Sequence, residues 1–326
     1  KAAQERKALA TFARTGDDAE MKSMNVGTPA DGGYTVLENV DRTIRNRLFE
    51  LSPIARLARQ EVITSGGSFD TITDVADYGA EWVGESDTRS STNGSTFERQ
   101  SIPLDECYAN VSVTQRLLDD SGYDIGAHVE ERISDKFARA IGTALTVGDG
   151  NAKPTGLATY SSNTSSDADR EWGTVEHVIT GADTGFIDTS SSAGPADVLV
   201  DMQSRLKSGH RANGAWLMNA RTAGIVRKFR DLDGRFLWQD QMMAGEPALL
   251  LGHPVYIADD MDDVASGGTP IIFGDVRAAY TYVSRPGIKM LRDPYTDKPN
   301  VRFYSYIRAG GALVNSEAVK FLRVSS

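Results

Sequence analysis

A chain of 326 residues is long for one compact core and implies two subdomains, or one extended body with long arms. Its hydrophobic share of 40% and charged share of 25% are those of an ordinary globular protein, and no stretch reaches the roughly 18 consecutive apolar residues of a transmembrane helix. A formal charge of −10 excludes a protein that condenses DNA over a broad basic surface. It does not exclude a container for DNA, because an acidic lining lets a packaged polymer slide.

Lys1–Arg14 reads as a short helix with Leu9 and Phe12 on one side, and residues 15–33, rich in Gly, Asp, Ser and Thr, as an extended arm. The first twelve residues are charged and lack the apolar run of a signal peptide. A single cysteine, Cys107, rules out an internal disulfide and fits a reducing compartment. A second helix is predicted around Asn39–Leu51, ended by Ser52-Pro53. From Glu61 to Tyr108 the pattern is strand-like, in short runs at Glu61–Thr64, Phe69–Val75, Glu81–Val83, Phe97–Leu104 and Tyr108–Val113. Ser65-Gly66-Gly67 and the polar stretch Ser86–Ser95 separate them. These runs hold few large apolar residues for their length, so a hairpin made from them either finds a neighbour's surface or is a surface loop.

Ile125, Val129, Ile133, Phe137, Ile141 and Leu145 recur every four residues and form one drifting stripe of a helix. Asp124 can cap it and Gly148-Asp149-Gly150 stops it, giving a rod roughly 35 Å long at 1.5 Å per residue. Tyr160–Ser192 is again poor in apolar residues, apart from a predicted strand at Val175–Thr180. Pro195 opens a helix through Lys207. Ala215–Met218 reads as a buried strand, and Asn219 as the N-cap of a helix to Phe229. Later strands are predicted at Pro254–Ile257, Ile271–Phe273, Ala279–Ser284, Ile288–Arg292, Val301–Gly310 and Val319–Val324. The class is α+β, with helices and strands segregated.

A search for catalytic chemistry is mostly negative. The four histidines (His128, His177, His210 and His253) are scattered without metal-ligand spacing, and His253 is expected in a turn before Pro254. Gly148–Gly156 superficially suggests a phosphate loop, but Lys153 is followed by Pro154, and no Gly-Lys-Ser/Thr completes it. No Gly-x-Ser-x-Gly elbow occurs. The pairs Asp119-Asp120, Asp259-Asp260 and Asp262-Asp263 lack calcium-loop spacing and read as solvated loop carboxylates. Trp82, Trp172, Trp216 and Trp238 are scattered, and Trp216 reads as core. No catalytic, metal or cofactor-binding residue is therefore predicted, and a soluble hydrolase is a remote alternative.

Several strings, taken in order, carry a resemblance. Asp31-Gly32-Gly33-Tyr34-Thr35-Val36-Leu37 is followed by Leu51-Ser52-Pro53-Ile54-Ala55-Arg56-Leu57-Ala58, then by Glu81-Trp82-Val83-Gly84-Glu85 with Thr96-Phe97. Arg116-Leu117-Leu118-Asp119-Asp120-Ser121 precedes the long helix and Gly148-Asp149-Gly150. Trp216-Leu217-Met218-Asn219, the run Arg227–Trp238, Leu250-Leu251-Gly252-His253-Pro254-Val255, Phe273-Gly274-Asp275 and Arg292-Asp293-Pro294-Tyr295-Thr296 complete the set. Each string alone is mostly turn chemistry, but in this order the chain resembles the major capsid proteins of tailed double-stranded-DNA bacteriophages, of the Hong Kong 97 type.

The resemblance implies an N-terminal arm (1–39), a peripheral domain in three parts (40–64, 98–195 with a spine helix at 124–146, and 279–313), an extended β-hairpin loop (65–97) and an axial domain (196–278 with 314–326). It implies a non-enzymatic subunit that self-assembles into pentamers and hexamers, an icosahedral shell in the virion that encloses double-stranded DNA. Assembly is expected in the cytoplasm of a bacterial host, with no membrane contact. The expected partners are a portal, decoration or cement proteins, and a prohead protease whose action would account for a chain that starts at Lys1. A gene transfer agent capsid and an encapsulin-type nanocompartment are the alternatives within the fold. Gly66, Gly67, Trp82, Glu85, Arg89, Phe97, Arg292, Asp293, Asp297 and Lys298 are the expected intersubunit contacts. The founding member joins a loop lysine to a peripheral-domain asparagine. This chain has no lysine between Lys22 and Lys136, and has Arg89 and Phe303 about where those two residues would be needed, so no cross-link is expected.

Overall fold

The computed structural model describes residues 45–49, 52–76, 82–83, 96–120, 125–186, 194–230, 238 and 248–325. The expected arm, Asp124, Glu85 and Arg89 lie outside them. Residues 45–49 are helical, and Ser52 accepts a hydrogen bond from the Ala55 amide to cap α1 (Pro53–Leu57), with proline at its first position.

After the short α2 (Gln115–Asp120), the spine is α3 (Ile125–Val147), one residue displaced from the predicted span. Its every-fourth-residue stripe is buried at Val129, Ile133, Phe137, Ile141 and Leu145. The helix stops where Gly148 packs so closely on the chain that a Cβ there would lie 2.0 Å from the Pro154 carbonyl oxygen. Gly150 follows with φ +75°, and a bridge between Asp149 and Thr155 closes the turn. The loop is thus a helix stop, not an anion cradle.

Against the spine lies a four-stranded sheet made of β1 (Arg59–Val62), β11 (Tyr280–Asp293), β12 (Asn300–Leu313) and β4 (Asp105–Thr114), in that order. β1 runs parallel to β11, and the other pairs are antiparallel. Alternation along β12 buries Val301, Phe303, Ser305, Ile307 and Ala309 in the same cluster as the spine stripe, apart from Ser305, which is a buried polar residue. The two runs expected at Ala279–Ser284 and Ile288–Arg292 are one strand, interrupted by an irregularity between Arg285 and Lys289 at Pro286-Gly287. Proline there removes a ladder donor, which explains why the sequence pattern breaks while the strand continues.

A second core sits under a seven-stranded sheet of order β5-β6-β13-β10-β7-β9-β8. Its strands are β5 (Ser162–Asn163), β6 (Val175–Ile179), β7 (Ala215–Met218), β8 (Leu249–Leu250), β9 (His253–Ile257), β10 (Ile271–Gly274) and β13 (Val319–Arg323). Trp216, Met218, Ile271 and Phe273 pack on Val198, Leu199 and Met202 of α4 (Asp197–Arg205), which the short α5 (Ser208–Arg211) follows, and on Ala223 and Val226 of α6 (Ala220–Arg227). The Trp216 indole nitrogen donates to the Leu250 carbonyl at 3.0 Å, which satisfies its one polar atom. Asn219 caps α6 as expected, accepting from the Thr222 amide. Its amide nitrogen also donates to Asp263 at 2.8 Å, so that carboxylate is structural. His253 corrects the turn assignment: it begins β9, and its Nδ1 lies 3.1 Å from the Gly214 carbonyl.

Candidate assembly surfaces

β2 (Ser68–Ala76) and β3 (Thr96–Pro103) pair as an antiparallel hairpin. Its register runs from Ser68 opposite Pro103 to Ala76 opposite Thr96, and among the described residues no third strand joins it. At its base Gly66 has φ +93°, and the Leu104 amide donates to the Gly67 carbonyl at 3.0 Å. Ile102, near that base, is fully buried. Farther out Ile72 is 72% and Phe97 64% exposed, and Arg99 pairs with Asp70 at 2.5 Å. Hydrogen bonds from Ser101 and Arg99 hold the Asp70 carboxyl below its usual pKa. Trp82 and Val83 are exposed and do not lie in a strand, contrary to the run expected at Glu81–Val83. The alternation there is too short and polar to hold a ladder by itself. A two-stranded ribbon with large apolar residues facing water is marginal alone and marks an interaction surface.

The outer face of the four-stranded sheet forms a second surface. Residues opposite one another in register share a face, so Lys289 and Leu291 of β11, Arg302, Tyr304, Tyr306 and Arg308 of β12, and Glu106 and Tyr108 of β4 line up together. Tyr108 and Tyr304 stack with ring centroids 6.0 Å apart, and Tyr304 and Tyr306 lie at 5.8 Å. The Tyr304 hydroxyl donates to Glu106 at 3.1 Å, and Arg308 pairs with the same carboxylate at 3.3 Å. Tyr108 is 67% exposed. The expected strand at Val301–Gly310 did not disclose this aromatic row, whose signal is the period-two placing of Tyr304 and Tyr306 between inward Phe303, Ser305 and Ile307.

The β11–β12 turn holds the four expected charge partners. Asp293 accepts from the Tyr295 amide at 2.9 Å, the Thr296 amide at 3.2 Å and the Thr296 hydroxyl, and these bonds, the hydroxyl's first, lower its pKa. Asp297 pairs with Arg302 at 3.1 Å, Arg292 donates to Gln115 at 3.1 Å, and Lys298 is exposed. Both carboxylates therefore organise their own turn. Phe303 is buried in the spine core, at 2% exposure, so its side chain does not reach the outer face of the sheet.

Chemistry-bearing groups elsewhere are tied into structure. His177 Nδ1 lies 3.0 Å from the Ser162 hydroxyl, and burial lowers the ring's pKa. Asp262 accepts from the Thr269 amide, Asp260 from the Thr143 hydroxyl. Among the described residues no group of three or more His, Cys, Asp or Glu comes together to hold a metal, and no helix is long and apolar enough to cross a membrane.

A helix spine against a sheet with a tyrosine-rich, charged outer face, and a hairpin that exposes Ile72 and Phe97, is an architecture suited to packing on other subunits. Residues 32–324 match the phage capsid family, and the chain belongs to it. The structure is similar to the capsid of a native GTA particle, with 38% identity and a TM-score of 0.76 over 96% of this chain and 99% of that one. The capsid of an empty GTA particle is similar at 38% identity and a TM-score of 0.73, over 94% and 98% of the two chains. The capsid fold is shared at 13% identity with a protein of Mycobacterium phage Adephagia, with a TM-score of 0.57 over 95% and 98%. No curated protein matches the chain. The α+β capsid fold expected from the sequence is thus the fold observed.

Proposed function

We propose that this capsid protein self-assembles into pentamers and hexamers of a closed icosahedral shell of the Hong Kong 97 type, enclosing double-stranded DNA. The observation that carries this reading is the 38% identity to a particle-forming capsid over nearly the whole of both chains. In this reading residues 1–39 are an arm, 65–97 an extended loop laid over the next subunit, and 196–278 with 314–326 an axial domain. The remaining segments, 40–64, 98–195 and 279–313, form the peripheral domain around the spine. Gly66, Gly67, Trp82, Glu85, Arg89 and Phe97 contact a neighbour through the loop, and Arg292, Asp293, Asp297 and Lys298 do so through the turn. A portal, decoration proteins and a maturation protease are its further partners, and it is assembled in a bacterial cytoplasm. The subunit has no catalytic role.

A gene transfer agent shell is the second reading, favoured by identity to the GTA capsids of 38% against 13% to the mycobacteriophage protein. Electron microscopy of purified particles, with sequencing of nuclease-protected DNA, tests both. Closed shells holding one repeated genome support the phage, and shells holding fragments from all over a host chromosome support the transfer agent. Protein-filled shells indicate a nanocompartment, and an absence of shells overturns the proposal.

Two further outcomes follow. With no lysine between Lys22 and Lys136 and with Phe303 buried, the shell is held non-covalently, so boiled particles run as one band near 35.3 kDa. A ladder of multimers that survives reducing agent contradicts this. Asp293→Lys lowers the melting temperature of particles more than that of the free subunit, since the turn meets a neighbour only in the shell. Equal falls would mean that Asp293 serves only its own turn.

A further inference from the structure

The four-stranded sheet ends on one side in β4, a ten-residue strand that pairs only with β12 among the described residues. Half of its backbone N–H and C=O groups point away from the sheet, an arrangement that recruits another strand. A cavity of about 290 Å³ opens beside this edge, lined among others by Cys107 of β4, Ile141 and Ala144 of the spine, and Pro154. The edge is therefore a slot with an apolar hole along it.

The strand is also complementary to its own reversed copy. When Asn110 is set opposite Asn110 of an antiparallel copy, the outer face matches Tyr108 with Ser112 and Glu106 with Thr114. On the inner face Cys107 meets Val113 and Ala109 meets Val111, so apolar side chains meet apolar ones. The only carboxylates of the strand, Asp105 and Glu106, fall at opposite ends of the paired ladder, and no like charges face each other. This register pairs residues 106–114 of each copy. Moving the centre one residue toward the N-terminus keeps the ladder's length but sets the Asp105 carboxylate against Val113.

We propose that two copies of this chain join through β4, edge to edge and antiparallel about a two-fold axis at Asn110. The join makes one continuous eight-stranded sheet, with Val113 of each copy entering the cavity beside Cys107 of the other. The contact is isologous, as a two-fold requires, and uses strand addition as its binding mode. It rests on the self-assembly proposed above and specifies where two subunits meet.

Engineered cysteines read the register directly, because opposed Cβ atoms in such a ladder lie within disulfide reach. Val113→Cys in the otherwise native chain faces Cys107 of the second copy. Asn110→Cys in a Cys107→Ala background faces itself. Both, oxidised in assembled particles and run without reductant, give a band at twice the monomer mass, whereas Ser112→Cys with Cys107→Ala does not. Particles of normal appearance that give no dimer from either variant overturn the proposal while leaving the shell function intact. An unmodified protein that makes no particles removes the shell function itself. If the variants fail to assemble, hydrogen exchange on the unmodified protein decides. The β4 amides become protected in particles relative to free subunit, and equal exchange in both overturns the pairing. Protection of β4 in particles whose variants assemble but do not cross-link also overturns it, since another segment then fills the slot.

Discussion

A subunit whose hairpin is cut back should remain folded yet form no closed shells. Thr71 and Gln100 are register partners, so removing residues 72–99 and joining those two through Asn-Gly leaves a short, well-formed hairpin. The buried anchor survives, because Ile102 and the bond from the Gln100 side chain to the Leu313 carbonyl lie below the cut. The deleted part holds Ile72 and Phe97, both mostly exposed in the subunit, and the Asp70–Arg99 pair it breaks is a surface pair worth little. The subunit's melting temperature should therefore change by no more than about 2–4 °C for a chain of this size. In the shell proposed above a neighbour covers this apolar area, so the yield of closed particles by electron microscopy should fall to background. Phe97→Asp should weaken assembly in the same direction. Closed particles of normal size from the cut-back protein would show that the hairpin is a surface loop, the alternative left open by its sequence.

Where periodicity and burial coincide, the sequence was readable. The spine stripe, Ala215–Met218 and the Asn219 cap are local patterns answered by local structure, and the structure returns them within a residue or two. The hairpin was legible as alternating strands with few large apolar residues, of which Ile102 at the base is buried and Ile72 and Phe97 farther out are exposed. What the sequence concealed is non-local. The parallel pairing of β1 with β11 joins Arg59 to Thr281 across more than two hundred residues, and no motif announces it. Pro286-Gly287 split one strand into two apparent runs. The aromatic outer face required knowing which neighbours stand opposite Tyr304, namely Leu291 and Asn110, and a single strand's alternation does not contain that. Lys320 was hidden most completely. It sits in a predicted strand like any solvent-facing lysine, and its two carboxylates lie about 150 positions earlier, Asp167 in the region read as poorly apolar and Glu176 in the strand predicted within it.

Lys320→Met should be the most destabilising single substitution at a polar residue outside the assembly surfaces. The Lys320 side chain is fully buried in β13, with its Nζ 2.5 Å from Asp167 and 2.6 Å from Glu176, which are themselves 10% and 6% exposed. Arg170, 1% exposed, pairs with Asp167 at 2.7 Å and donates to the Ser316 hydroxyl at 2.8 Å, while Arg205 reaches Glu176 at 3.3 Å. The cluster ties the loop before β6 to a strand flanked by β6 and β10, so it joins one edge of the seven-stranded sheet to its interior. Methionine fits the space but leaves two buried carboxylates short of a cation, a loss of about 3–5 kcal/mol. Acid should act through the same group. Burial pushes the Asp167 carboxyl up, but hydrogen bonds from Lys320 and Arg170 outweigh it, and its pKa is lowered below the ordinary 3.8. A carboxyl lowered on folding contributes stability that is present above its unfolded pKa and lost as pH falls through the folded one. Without Lys320 that lowering weakens, so the acid-unfolding midpoint of the variant moves to higher pH. Urea unfolding at neutral pH and circular dichroism across an acid titration measure the two effects. Lys320→Met combined with Asp167→Asn and Glu176→Gln should recover part of the loss, because no carboxylate is then stranded. A single variant that loses under about 1 kcal/mol would mean that water reaches the cluster and screens it as it does surface pairs.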